Sequence, residues 1–87
     1  MIETSTETVQ VKIHSPFKTY FEGPAFSLSA VNETGLFDIL PGHKNFMSLL
    51  KPCVITVRSS QKPDLELSIS RGVMHVRSNK ITVFLDI

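Results

Sequence analysis

Hydrophobic and polar residues alternate with a period of two along most of the chain. Val9, Val11 and Ile13 alternate with Gln10, Lys12 and His14, which predicts a strand with one buried face. Ser15-Pro16 ends it. Lys18 to Glu22, carrying Tyr20 and Phe21, predicts a short second strand that Gly23-Pro24 stops. Phe26, Leu28 and Ala30 alternate with serines and predict a third, followed by a turn at Asn32-Glu33-Thr34-Gly35. Leu36 to Leu40 is an apolar run interrupted at Asp38 and broken by Pro41-Gly42. Phe46, Met47, Leu49 and Leu50 fit a strand or a single helical turn, and their surroundings favour the strand.

After Lys51-Pro52, the stretch Cys53 to Arg58 is rich in β-branched residues. Leu65, Leu67 and Ile69 alternate with Glu66, Ser68 and Ser70, the clearest amphipathic strand of the chain. Arg71-Gly72 is a tight connection. Val73 to Arg77 and Ile81 to Ile87 form a last pair around Ser78-Asn79, where asparagine tolerates a positive φ. In the last strand Ile81, Val83, Leu85 and Ile87 share one face. No segment keeps a helical period, so the expected class is all-β, a sandwich or small barrel.

Composition narrows this picture. The 87 residues suffice for one domain, read as 9–87 after a loose end at 1–8, and 41% are hydrophobic, enough for a core. A domain this small buries only roughly 60–65% of its unfolded surface, so a permanent partner would help it. Nine Lys/Arg stand against eight Asp/Glu, which is not the basic excess of a nucleic-acid binder. Cys53 is the single cysteine and can close neither an internal disulfide nor a cysteine-type zinc site. The polar, acidic stretch Met1–Thr8 lacks the basic start and apolar stretch of a secretory leader. No apolar run approaches the ~20 residues of a membrane helix.

The residues offer little chemistry. His43 has no serine, aspartate or second histidine at a telling spacing, so contact with a partner is the preferred reading over catalysis or metal ligation. His14 and His75 fall on solvent-facing strand positions, and a zinc site with His43 would rest on the count alone. Cys53 reads as a buried small hydrophobe. One arginine, Arg71, without a glycine-rich nest or a helix N-terminus reads as an exposed turn residue before it reads as a phosphate ligand. Phe37, Phe46 and Met47 fit either an exposed patch or the core. No catalytic residue, cofactor or metal is expected.

The segment Gly35-Leu36-Phe37-Asp38-Ile39-Leu40-Pro41-Gly42-His43, followed by Phe46 to Leu50 and Lys51-Pro52, resembles the signature region of the ε subunits of F-type ATP synthases. Val11 to Pro16, Phe21-Glu22-Gly23, Ile69 to Val76 and Ile81 to Asp86 resemble that family's other segments in order, so the likeness spans about residues 9–86. It implies a flattened sandwich of two packed sheets with about ten short strands, and a non-catalytic rotor domain. One surface would dock on the γ subunit and one end would touch the c subunits of the membrane ring.

The partner-binding residues implied are Leu36, Phe37, Pro41, Gly42, His43, Lys44, Met47 and Ser48, with Phe46 in the core. Pro41-Gly42 would form a rigid turn that presents His43, because proline fixes φ and glycine frees the next backbone position. Such a turn suits a contact that carries torque. The implied place is the cytoplasmic face of a bacterial inner membrane or its organelle equivalent, reached through partners.

Several positions depart from that pattern. Cys53 stands where glycine follows Lys-Pro, Arg71 replaces the first of two glycines, Asp38 a common glycine and Asn45 a common proline. Leu36 holds a place where some relatives carry an acidic contact to the ring, so the ring-facing contacts would be more apolar here. Relatives continue into a C-terminal helical hairpin that inhibits hydrolysis and in some binds ATP. These 87 residues run to Ile87, where the sandwich is expected to finish, so no ATP site and no inhibitory arm is assigned to them. The alternative function is a stand-alone barrel of the OB type binding single-stranded nucleic acid, which needs a basic groove with aromatics spaced along neighbouring strands. An enzyme would need a convergent polar cluster in a cleft.

Overall fold

The computed structural model describes residues 7–86. The expectation of a loose end at 1–8 falls mostly outside them, as does Ile87. Among the described residues the chain folds into eight strands: β1 Val9–His14, β2 Thr19–Asn32, β3 Gly35–Ile39, β4 Phe46–Leu50, β5 Cys53–Ser59, β6 Leu65–Ile69, β7 Gly72–Arg77 and β8 Lys80–Leu85. They hydrogen-bond in the order β4-β7-β8-β1-β2-β5-β6, and β3 pairs with β2. Every pairing is antiparallel except β1 with β8.

The ladder is continuous, yet it makes a sandwich because β2 belongs to both layers. Its first half, Phe21 to Ala25, pairs with β1, and its second half, Leu28 to Asn32, pairs with β3. One layer is therefore β4-β7-β8-β1 with the start of β2. The other is β3, the end of β2, β5 and β6. The strand turns the corner where its register against β5 shifts between Ala25 and Ser27. Phe26 is the extra residue of that bulge, and bulges bend a strand and carry it from one sheet to the next.

This corner corrects three sequence expectations. The predicted second and third strands are one strand of 14 residues, and Gly23-Pro24 does not stop it. Pro24 is tolerated because its carbonyl accepts from the amide of Ser60, just past the end of β5. Its nitrogen lies on that same edge, where no ladder bond is lost. Phe26 does not share the inward face of Leu28 and Ala30, because the bulge resets the alternation and leaves its ring exposed. The described residues form eight strands, against the about ten that the resemblance implies.

The core lies between the layers. Val9, Val11 and Ile13 of β1, Met74 and Val76 of β7, and Ile81, Val83 and Leu85 of β8 face Leu28, Ala30, Ile39, Ile55, Val57 and Ile69. The expected alternation of β1, β6 and β8 is what places these residues inward. Phe37, Phe46, Cys53, Leu65 and Leu67 pack on the rim of this core, so Cys53 is half-buried where full burial was expected. Phe46 to Leu50 is a strand, settling the ambiguity of that segment.

Two turns show their chemistry. Ser78 and Asn79 both have positive φ, 51° and 62°, the type I′ geometry that matches the twist of a two-residue hairpin. At the β2–β3 turn the Asn32 side-chain oxygen accepts from the backbone amide of Thr34 at 2.9 Å, an Asx turn. The layers are tied at their edges as well. Asn32 Nδ2 donates to Ser48 Oγ at 3.0 Å, and the amide of Lys51 donates to the carbonyl of Val31 at 3.0 Å.

Candidate docking surfaces

The outer face of the β4-β7-β8-β1 layer is organised in cross-strand rows. One row pairs Leu49 with Val73, Val73 with Phe84, and Phe84 with His14. The imidazole of His14 lies 4.2 Å from the Phe84 ring, centroid to centroid. The next row pairs Met47 with His75, His75 with Thr82, and Thr82 with Lys12. Met47 and Leu49 are 67% and 69% exposed and Phe84 is 54% exposed, although all three are large and apolar. Isolated exposed apolar residues need no explanation, but neighbours on adjacent strands form a continuous patch.

At the edge of this patch opens a groove of 710 Å³ lined by Leu49, Val73 and Phe84 together with Pro16, Leu50 and Leu85. Its rim carries Glu33, Lys51, Arg71 and Asp86. Arg71 Nε donates to Asp86 Oδ2 at 2.8 Å, and both side chains are solvated. Arg71 is thus an exposed residue with a carboxylate partner. Gly72 lies beneath, where an added Cβ would stand 2.7 Å from the carbonyl oxygen of Phe84.

A second surface lies at the end of the sandwich that carries the β3–β4 loop. The amide of His43 donates to the carbonyl of Leu40 at 3.1 Å. Pro41 holds the second position of this turn and Gly42, at φ 86°, the third, which is a type II turn and demands glycine-like backbone freedom there. The amide of Gly42 donates to Asn79 Oδ1 at 2.7 Å, and the amide of Ser78 donates to Asn45 Oδ1 at 3.2 Å. The loop is therefore fastened to the β7–β8 hairpin. His43 is exposed, with its ring against Phe46 at 5.5 Å and its Nδ1 2.9 Å from the carbonyl oxygen of Lys44.

The family model of the β-sandwich domain of the ATP synthase delta/epsilon chain matches residues 8–87. The chain belongs to that family. An ATP synthase epsilon chain of Psychrobacter arcticus is 33% identical over 79 residues, covering 91% of this chain and 57% of the relative. One of Nitratiruptor is 30% identical over 80 residues, covering 92% and 62%. The chain thus spans about three fifths of the length of these relatives. In solved structures its fold matches a chain of the Euglena gracilis mitochondrial ATP synthase, with TM-score 0.82 at 15% identity over 95% of this chain and 53% of that one. It also matches a chain of the central stalk and c-ring of the Tetrahymena thermophila enzyme, with TM-score 0.79 at 17% identity over 97% and 67%.

Within this delta/epsilon-type sandwich the residues singled out from sequence fall into four places: the end loop, the two outer faces and the inward side. Pro41, Gly42, His43 and Lys44 form the rigid loop at one end. Met47 belongs to the apolar patch on the outer face of β4, while Ser48 is half-buried on the opposite side of that strand, bonded to Asn32. Leu36 is 76% exposed on β3, in the other layer, beside Val31. Phe37 points inward, its ring 5.7 Å from that of Phe46 across the sandwich. Leu36 and Met47 therefore face away from each other.

Leu49, Val73 and Phe84 complete the patch and were not singled out from sequence. A signal for Phe84 was present: with Ile81, Val83 and Leu85 sharing one face, a phenylalanine at position 84 must lie on the solvent side. Leu49 and Val73 stand in the same relation to the buried Leu50 and Met74.

Proposed function

We propose that this domain is a non-catalytic docking piece of the rotor of an F-type ATP synthase, binding the γ subunit with the apolar patch of its outer β4-β7-β8-β1 face and meeting the c-ring with one end. The domain contributes surface and rigidity to proton-driven ATP synthesis, and no chemical step is assigned to it. The observation that carries the reading is the continuous apolar patch of Met47, Leu49, Val73 and Phe84, left open to solvent on a domain of this family. A small domain with a marginal core gains stability by covering such a patch permanently. The fastened Pro41–Lys44 loop is the candidate for the ring-facing end, since a contact under torque needs a backbone that does not yield. The corresponding location is the surface of an energy-transducing membrane, at the cytoplasmic face in a bacterium, reached through these partners.

The test is co-purification of the chain with γ subunit from the same source, repeated with Met47→Glu, Leu49→Glu and Leu36→Glu. Binding that survives Leu36→Glu and is lost with the other two supports the reading and its face. Loss only with Leu36→Glu moves the γ contact to the β3 side. Absence of binding by the unaltered chain overturns the rotor role.

A further inference from the structure

The same outer face carries a second feature beside the apolar patch, which it meets where His75 stands opposite Met47. Lys12, His75, Arg77 and Lys80 are all exposed and lie on adjacent strands β1, β7 and β8. Arg77 and Lys80 stand directly opposite each other across the β7–β8 hairpin. Lys12 is opposite Thr82, which is opposite His75, so each lies diagonally next to that pair. Shallow clefts of 310 and 330 Å³ run between these residues and share Lys80 and Thr82.

Lys12, Arg77 and Lys80 are poorly compensated. Glu22, opposite Lys12 on β2, is the carboxylate this face supplies to them. The ion pair found among the described residues, Arg71 with Asp86, lies at the far end of the sheet. Like charges directly opposite each other destabilise a sheet. A chain whose charge is nearly balanced overall thus concentrates cations where folding alone disfavours them. The outer face of the other layer carries Asp38 and Glu66 in one row with Ser29 and Thr56, with Arg58 in the next row.

We propose that Lys12, His75, Arg77 and Lys80 form a docking site for an acidic segment of a protein partner. The site spans three strands, about 10 Å at the usual strand spacing, so a lone phosphate cannot meet all of it. It is flat, with no buried polar group among the described residues lining either cleft, as expected for a chain of carboxylates and not for a small-molecule pocket. It borders the γ contact proposed above, and its test needs no γ subunit.

The test is fluorescence anisotropy of labelled poly-L-glutamate with the full chain, run beside phosphatidylcholine vesicles with and without phosphatidylglycerol. The polyglutamate is expected to bind, and to be released at about 1 M salt, where the Debye length falls to about 3 Å. Lys80→Glu and Arg77→Glu are each expected to weaken binding about tenfold or more, the effect of removing one close charge contact and adding a repulsive one. Each also turns the opposed like pair into an attractive one, so the melting temperature is expected to hold or rise. Lys18→Glu and Arg58→Glu, which change net charge equally elsewhere, are expected to leave binding within about twofold. Equal weakening by all these variants would reduce the effect to net charge and overturn the site. Binding to phosphatidylglycerol vesicles without binding to polyglutamate would assign the face to a membrane and overturn the protein partner. Binding to neither would overturn the proposal outright.

Discussion

Replacing Gly72 by alanine isolates one packing constraint beneath the apolar groove. Gly72 sits between Leu50 of β4 and Leu85 of β8 in the ladder. Its backbone is not in the left-handed region, so alanine meets no φ penalty there. The added Cβ would lie 2.7 Å from the carbonyl oxygen of Phe84 and 3.2 Å from Leu85 Cδ2. The first contact is with backbone held in a ladder and cannot be relieved by a rotamer change. Either β7 or β8 must shift. Overpacking of this kind costs about 1–3 kcal/mol. For a domain of this size about 2 kcal/mol lowers the melting temperature by roughly 8–16 °C. Thermal unfolding followed by circular dichroism reads this directly. A fall of less than about 2 °C would show that the two strands can part without loss and refute the argument. The shift should also displace Val73 and Phe84, so γ binding is expected to weaken at temperatures where the variant is still folded.

Other substitutions probe the features around the two surfaces. Asn79→Ala removes the acceptor for the Gly42 amide and puts at φ 62° a residue without asparagine's tolerance of the left-handed region; a loss of about 2 kcal/mol is expected in urea unfolding, and Asn79→Gly should recover the backbone part of it. Leu28→Ala empties a fully buried position beside the β2 corner and should cost about 2–5 kcal/mol, read as a lower urea midpoint. Arg71→Ala removes an ion pair between two solvated side chains, so less than about 1 kcal/mol should be lost, and a larger loss would mean that the pair braces the end of β8.

The local sequence determined the β class and the inward faces of β1, β6 and β8, because a period of two leaves no other choice once one face is buried. It also determined the turns at Asn32–Gly35, Pro41-Gly42 and Ser78-Asn79, whose residue types carry their backbone geometry with them. Two matters were settled only by tertiary structure. Gly23-Pro24 and Phe26 look like a break between strands until β5 is seen to end at Ser59, beside the proline. That geometry lets one strand turn the corner and belong to both layers. The docking surfaces are the other case. Leu49 is far in sequence from Val73 and Phe84, as Lys12 is from His75 and Lys80, and each residue alone reads as an ordinary exposed position. Strand order and register, set by distant pairings such as β1 with β8 and β4 with β7, bring them into rows. Alternation tells which side of its own strand a residue occupies, while its neighbours on that side depend on which strands pair and in what register.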